Sequence, residues 1–208
     1  DPNDVQAAFR LGRALLSVDQ VDEAAEIAQS LLTNSPSAYQ SYLLAARVAQ
    51  ARGDEPAALA ALRQAQSLAP TDSAALTLIG DSYLVAGRLD DAASAYNAAV
   101  SLEPRNSNAL VGLGRVYQAL NRLADAESSL RRALAAAPNN LAAQAALGRL
   151  LLHAGQPAEA IPLLEAAVTQ RADHATAVKD LADAYLVSDR VEEGLAIYYT
   201  ELNLDDES

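Results

Sequence analysis

SAALTLIGDSYLVAGRLDDAASAYNAAVSLEPRN, residues 73–106, is one copy of a unit that recurs along the whole chain. Its proline belongs to a regular series, in which successive members are 34 residues apart: Pro2, Pro36, Pro70, Pro104 and Pro138. With proline at position 32 of the unit, six units begin at residues 5, 39, 73, 107, 141 and 175, and the last ends at Ser208. Self-similarity at this period is typical of repeat proteins, in which each unit packs on its neighbours.

Three further positions of the unit accept few residue types. Positions 8 and 20 are always Gly or Ala, which let two helices approach closely. Position 15 is Asp19, Gly53, Gly87, Asn121, Gly155 or Asp189. These residue types readily adopt the left-handed backbone conformation that ends a helix, and the later proline stops a second helix. The residues predicted to cap the next helix are Ser37, Asp72 or Ser73, Ser107, Asn140 and Asp173.

This pattern resembles the tetratricopeptide repeat, whose signature is W-x2-L-G-x2-Y, then A-x3-F, then P. The third repeat supplies Leu76, Ile79, Gly80, Tyr83, Ala92, Tyr96 and Pro104. The fourth repeat supplies Leu110, Leu113, Gly114, Tyr117, Ala126, Leu130 and Pro138. The resemblance implies an all-α fold, a right-handed α-solenoid of six tandem helix-turn-helix units.

The predicted organisation is one continuous domain. Residues 1–4 are interpreted as the tail of a preceding repeat, and the repeats occupy residues 5–38, 39–72, 73–106, 107–140, 141–174 and 175–208. The sixth repeat is divergent and is followed by an acidic tail. A terminal repeat needs a polar outer face, yet its last helix carries Leu195, Ile197, Tyr198 and Tyr199. We therefore expect a fragment of a longer protein, or end-to-end self-association through this uncapped helix.

The charge balance limits the partners of the chain. The formal net charge is −12, from 27 acidic and 15 basic residues, so nucleic acid and anionic membranes would repel it. Every base except Lys179 is Arg, and this composition, rich in Ala, favours a bacterial source. The absence of Cys excludes disulfides and leaves both the bacterial cytoplasm and the periplasm open. No apolar run approaches the ~18 residues that a membrane-spanning helix needs.

No residue pattern in the sequence predicts catalysis. Gly112 and Gly114 form a G-x-G pair, but a dinucleotide loop needs a preceding strand and a third glycine. His153 and His174 have no carboxylate at the spacing of a ligand set. Paired acids recur in the first turn of second helices, where negative charge favours a helix N-terminus. The sequence thus predicts no catalytic residue, no cofactor and no metal site.

The resemblance implies that the first helix of each repeat lines a concave groove through positions 2, 5, 9, 12 and 13. The predicted partner-binding residues are Phe9, Arg13, Leu43, Arg47, Gln50, Thr77, Asp81, Asn108, Val111, Arg115, Gln118 and Arg149. Position 9 is Arg in four repeats, and the planar guanidinium suits carboxylates. Either these arginines bind acidic groups of a peptide, with Asp81 and Asp183 fixing its register, or they pair with neighbouring acids of the chain.

The function that the resemblance implies is a non-catalytic scaffold for protein–protein interaction, with a protein or peptide in the groove. An alternative is the accessory, periplasmic region of a larger bacterial protein of polysaccharide secretion, or of a glycosyltransferase. Its barrel or catalytic domain would then lie outside this chain.

Overall fold

A computed structural model describes residues 4–170 and 175–201 of the chain. Within these ranges the chain forms twelve α-helices and no strand, which confirms the predicted all-α fold. The helices are α1 (Val5–Ser17), α2 (Val21–Asn34), α3 (Tyr39–Ala51), α4 (Glu55–Leu68), α5 (Ser73–Val85), α6 (Leu89–Leu102), α7 (Ser107–Ala119), α8 (Leu123–Ala136), α9 (Leu141–His153), α10 (Pro157–Gln170), α11 (Ala175–Val187) and α12 (Val191–Glu201). None of them is long and apolar enough to cross a membrane. Asp173, His174 and the acidic tail lie outside the described residues.

The two helices of each repeat are joined at a residue with a left-handed backbone. These residues, with φ in parentheses, are Asp19 (61°), Gly53 (73°), Gly87 (70°), Asn121 (57°), Gly155 (74°) and Asp189 (62°). Glycine adopts this conformation without steric cost, and Asn and Asp tolerate it better than other residues. The prediction for position 15 is therefore confirmed in all six repeats.

Glycines at position 8 allow the two helices of a hairpin to touch. A Cβ atom added to Gly80 would lie 2.7 Å from Cε1 of Tyr96. A Cβ atom added to Gly114 would lie 2.7 Å from Cγ of Leu130. Both separations are too short for a real side chain, so the predicted role of this position in helix packing is confirmed.

The contacts divide the chain into two compact units, residues 1–112 and 113–208, with the division inside α7. Large, fully buried side chains of the first unit are Leu43, Leu44, Leu62, Leu76, Ile79, Tyr96 and Leu110. Those of the second unit are Val116, Leu130, Leu147, Leu151 and Leu164. In each unit many alanines are buried beside them, so both cores are built from the Leu and Ala that dominate the composition.

The helix caps agree only partly with the sequence. Asp72 and Asn140 each accept a hydrogen bond from the backbone N–H three residues later, as predicted. Ser107 is the first residue of α7, and the capping side chain is that of Asn106, which accepts from the N–H three residues on at 3.0 Å. Ser37 is also not a cap, because the residue before α3 is an alanine without a side-chain cap bond.

The last described helix, α12, leaves part of its apolar surface in water. Leu195 and Tyr199 are 39% and 45% exposed, whereas Ile197 and Tyr198 are half-buried. Self-association through this helix stays a prediction.

Candidate partner-binding site

Position 5, the apolar position of the predicted groove, is buried by the chain itself. Phe9 is 3% exposed, Leu43 is 0% exposed, and Thr77 and Val111 are each 6% exposed. The Thr77 hydroxyl also donates a hydrogen bond to the carbonyl of Ser73 at 2.7 Å. These four residues were predicted to bind a partner, but helix packing already removes their side chains from water.

The aspartates at position 9 accept hydrogen bonds from tyrosines at position 24 of the same repeat. The Tyr96 hydroxyl donates to Oδ1 of Asp81 at 2.7 Å, and the Tyr198 hydroxyl donates to Oδ1 of Asp183 at 2.5 Å. Since Tyr96 is fully buried, its hydroxyl needs an acceptor inside the protein. Position 24 is Leu or Ala in the four repeats with Arg at position 9. The aspartates therefore have a structural partner that the interpretation as register residues missed.

Arg149 is neutralised inside the second unit. Its Nε donates to Oδ2 of Asp180 at 2.6 Å, and this carboxylate is almost fully buried. Asp180 occupies position 6 of its repeat, and no other repeat has an acid there. For Arg149, the interpretation in which groove arginines pair with acids of the chain is the correct one.

Arg13, Arg47 and Arg115 make no ion pair with any described residue. The guanidinium of Arg13 lies over the ring of Phe9, 5.8 Å from its centroid. Nε of Arg47 is buried and has no hydrogen-bond acceptor in the described part of the chain. Burial lowers the pKa of Arg47, and the charge of Arg13 lowers it further, while Asp81 raises it. Arg13 and Arg47 of the first unit are thus close enough to repel each other.

The remaining predicted residues differ in their surroundings. Gln50 is half-buried and its amide donates to the carbonyl of Ser82 at 2.8 Å, which links α3 to α5. Asn108 is exposed at the start of α7, and Gln118 is half-buried near its end. Arg115 is exposed on the same helix, in the second unit.

Two residues were missed by the sequence interpretation. Arg10 is exposed on α1 and lines the same surface depression as Arg13 and Arg47. Its spacing of three residues from Arg13 places both on one side of a helix, and that signal could have identified it. Asn106 connects the third repeat to the start of α7, because its amide donates to the hydroxyls of Ser73 at 2.7 Å and Thr77 at 3.0 Å while its side-chain oxygen caps α7.

Comparison with known protein families identifies the family of the chain. A family model described as tetratricopeptide repeat matches residues 1–39, 9–73, 43–109 and 77–141, and a second with the same description matches residues 151–199. The chain belongs to the tetratricopeptide repeat family. The predicted resemblance is confirmed. No curated protein matches this tetratricopeptide repeat chain.

Several solved structures share the fold of this tetratricopeptide repeat protein. PilW, described as a widely conserved type IV pilus biogenesis factor, is 18% identical, with 99% of this chain and 96% of PilW covered and a TM-score of 0.77. A thermophilic tetratricopeptide repeat protein of Thermus thermophilus, TTC0263, is 24% identical, with coverages of 88% and 99% and a TM-score of 0.70. YrrB, described as having an unusual peptide-binding site, is 18% identical, with coverages of 84% and 90% and a TM-score of 0.55. None of these similarities supports the alternative of polysaccharide secretion or of a glycosyltransferase.

Proposed function

We propose that this chain is a non-catalytic scaffold that binds a protein or peptide partner carrying acidic groups, through unpaired arginines of its first helices. Tetratricopeptide repeat proteins are generally non-catalytic interaction modules, and a structural neighbour, YrrB, is described as having a peptide-binding site. The observation that carries the proposal is that Arg13 and Arg47 make no ion pair with a described residue.

The missing ion pairs are informative because of where these two arginines lie. Six of the described arginines make an ion pair with a carboxylate, and Arg13 and Arg47 are among those that do not. Arg13 and Arg47 instead repel each other, and one donor of Arg47 is buried without an acceptor. Carboxylates of a partner would remove this repulsion and accept bidentate hydrogen bonds. Arg115 offers the same chemistry in the second unit.

The test is quantitative capture of partners from a lysate of the source organism. Immobilised parent chain is compared with Arg13→Gln/Arg47→Gln and with a control, Arg63→Gln/Arg132→Gln. Both variants lose two positive charges, and the control arginines are exposed and make no ion pair with described residues. We expect one or more proteins to be retained by the parent and by the control and lost, by roughly tenfold or more, from the first variant.

Circular dichroism must show the same helix content for all three chains. Equal capture by the parent and by Arg13→Gln/Arg47→Gln would contradict the proposal. Equal loss from both variants would contradict it too, since overall charge, rather than these two side chains, would then govern binding.

A further inference from the structure

The first unit has a surface depression with an unusual concentration of positive charge. It lies between α1 and α3, has a volume of about 530 Å³, and is open to solvent. Its lining residues are Arg10, Arg13, Ala14, Leu16, Ser17 and Arg47. There is no acid in this lining.

The arginines of this depression have unused hydrogen-bonding capacity. Arg10, like Arg13 and Arg47, makes no ion pair with a described residue. Nε of Arg47 is a buried donor without an acceptor in the described ranges, and such donors are rare in folded proteins because they lose their bond to water. An anion in the depression would supply the acceptor.

The charge of the surrounding groups indicates which anion fits. Asp81 acts on Arg47 from outside the lining, and the C-terminal end of α1, at Leu16 and Ser17, carries a partial charge of roughly −0.5. Against three arginines, these groups leave a surplus of about one and a half positive charges. A single carboxylate would leave part of this surplus, whereas a phosphoryl monoester carries about −1.5 to −2 at neutral pH.

The number of acceptors leads to the same anion. A carboxylate has two oxygens and is typically filled by one bidentate guanidinium. A phosphoryl group has three strong acceptor oxygens, so it can accept from arginines on two helices at once. We propose that Arg10, Arg13 and Arg47 bind one phosphoryl group on a phosphorylated side chain of the protein partner. This inference rests on the proposed function, because it specifies the acidic group that the same arginines recognise.

The experiment is a titration of the full chain followed through the arginine Nε–H resonances in ¹H–¹⁵N NMR spectra. The probes are a blocked Ala-phosphoserine-Ala peptide, the matching Ala-Glu-Ala peptide and inorganic phosphate, at constant ionic strength and about pH 7.5, where the phosphate is largely dianionic. Arg47→Gln assigns its resonance. We expect the phosphopeptide to shift the Arg47 signal saturably, with a Kd about tenfold or more below that of the glutamate peptide.

Arg10→Gln is the decisive variant, because the test of the proposed function leaves Arg10 unchanged. It should weaken phosphopeptide binding by roughly fivefold or more, whereas the control Arg63→Gln should leave Kd unchanged. Inorganic phosphate should bind at the same residues and more weakly than the phosphopeptide. Shifts that do not saturate, equal binding of the two peptides, stronger binding of free phosphate than of phosphopeptide, or full affinity in Arg10→Gln would each overturn the inference.

The two proposals can fail separately. Partner capture that depends on Arg13 and Arg47, combined with no preference for the phosphopeptide, would leave the scaffold function standing and remove the phosphoryl specificity. The opposite result is saturable, Arg10-dependent phosphopeptide binding, with no partner lost from the Arg13→Gln/Arg47→Gln variant. It would leave the phosphoryl site standing and remove the proposed role of these arginines in partner binding. The phosphoryl site would then serve a ligand other than the captured partners.

Discussion

Gly112→Ala is the substitution for which this structure makes its sharpest prediction about stability. The ring of Tyr96 is confined on two sides, by Gly80 of α5 and Gly112 of α7. A Cβ atom on Gly112 would collide with Cε1 and Cζ of this ring and would lie 2.8 Å from Cδ1. The ring cannot move away easily, because it is fully buried and its hydroxyl is bonded to Asp81 at 2.7 Å.

Two effects of opposite sign decide the outcome. Replacing Gly by Ala inside a helix stabilises it by about 1 kcal/mol, since Gly loses more backbone entropy on folding. Overpacking a tight contact costs about 1–3 kcal/mol. Because the hydroxyl of the ring is hydrogen-bonded and its other side packs against Gly80, the cost of overpacking should lie in the upper part of this range. We therefore expect Gly112→Ala to lower the free energy of unfolding by about 1–2 kcal/mol.

A double-mutant cycle with Tyr96→Leu separates the two effects. Leucine occupies the position of Tyr96 in the second, fourth and fifth repeats, so the chain accommodates it. With the ring removed, Ala at residue 112 should stabilise the protein by up to about 1 kcal/mol. Urea denaturation followed by circular dichroism gives the four free energies, and amide exchange in α6 locates the change, because repeat arrays can unfold in steps. The coupling energy should be about 1–3 kcal/mol.

Equal effects of Gly112→Ala in the two backgrounds would refute this reasoning, since the ring would then not be the obstacle. Gly87→Ala serves as the control. An added Cβ there meets no atom within 4 Å, but φ is +70°, so the substitution costs backbone strain only. That cost should be the same with Tyr or Leu at residue 96.

Three other substitutions test the structure. Asn106→Ala should lower the free energy of unfolding by about 1–3 kcal/mol in urea titrations, because it removes a helix cap and two bonds to α5; Asn106→Asp, which keeps the cap, should cost less. Burial raises the pKa of Tyr83, so the folded state keeps a proton that the unfolded state loses, and stability should fall as the pH rises above about 10. Tyr83→Phe should remove part of that decline in a pH series of thermal melts. Asp180→Asn should cost about 1–3 kcal/mol, because it leaves half-buried Arg149 without its counter-ion, and a loss within ±0.5 kcal/mol would show that the pair is not formed.

The features predicted correctly from the sequence are those that a single backbone position imposes. The left-handed backbone at Gly53 or Asp19 favours the same few residue types whatever surrounds it, so position 15 of the repeat can be recognised from the sequence. The same is true of a glycine at a helix contact, such as Gly80. Because the unit recurs every 34 residues, each of these restricted positions is seen once in every repeat.

The features that were missed depend on pairs of side chains. Asp81 has the same repeat position as Arg47, and its role becomes clear only when the tyrosine at position 24 is considered with it. Likewise Phe9 was assigned to the groove because of its position in the repeat, although the packing of helices buries it. These couplings do not appear when each position of the repeat is considered separately. A comparison of position 9 with position 24 would have revealed the pairing of aspartate with tyrosine.

A comparison of paired positions also shows how Arg47 of the proposed site could be neutralised without being removed. Arg149 and Asp180 lie 31 residues apart, at position 9 of one repeat and position 6 of the next. Arg47 and Leu78 occupy the equivalent positions in the first unit, and Leu78 is half-buried, so Leu78→Asp should create the matching ion pair. Arg47 would keep its charge but lose its freedom to bind a partner. We expect Leu78→Asp to shift the Nε–H resonance of Arg47 and to reduce partner capture about as much as Arg47→Gln does, while Leu78→Asn reduces it less. A shifted resonance with undiminished capture would mean that the guanidinium of Arg47 does not contact the partner, and the site would then have to be sought among other residues.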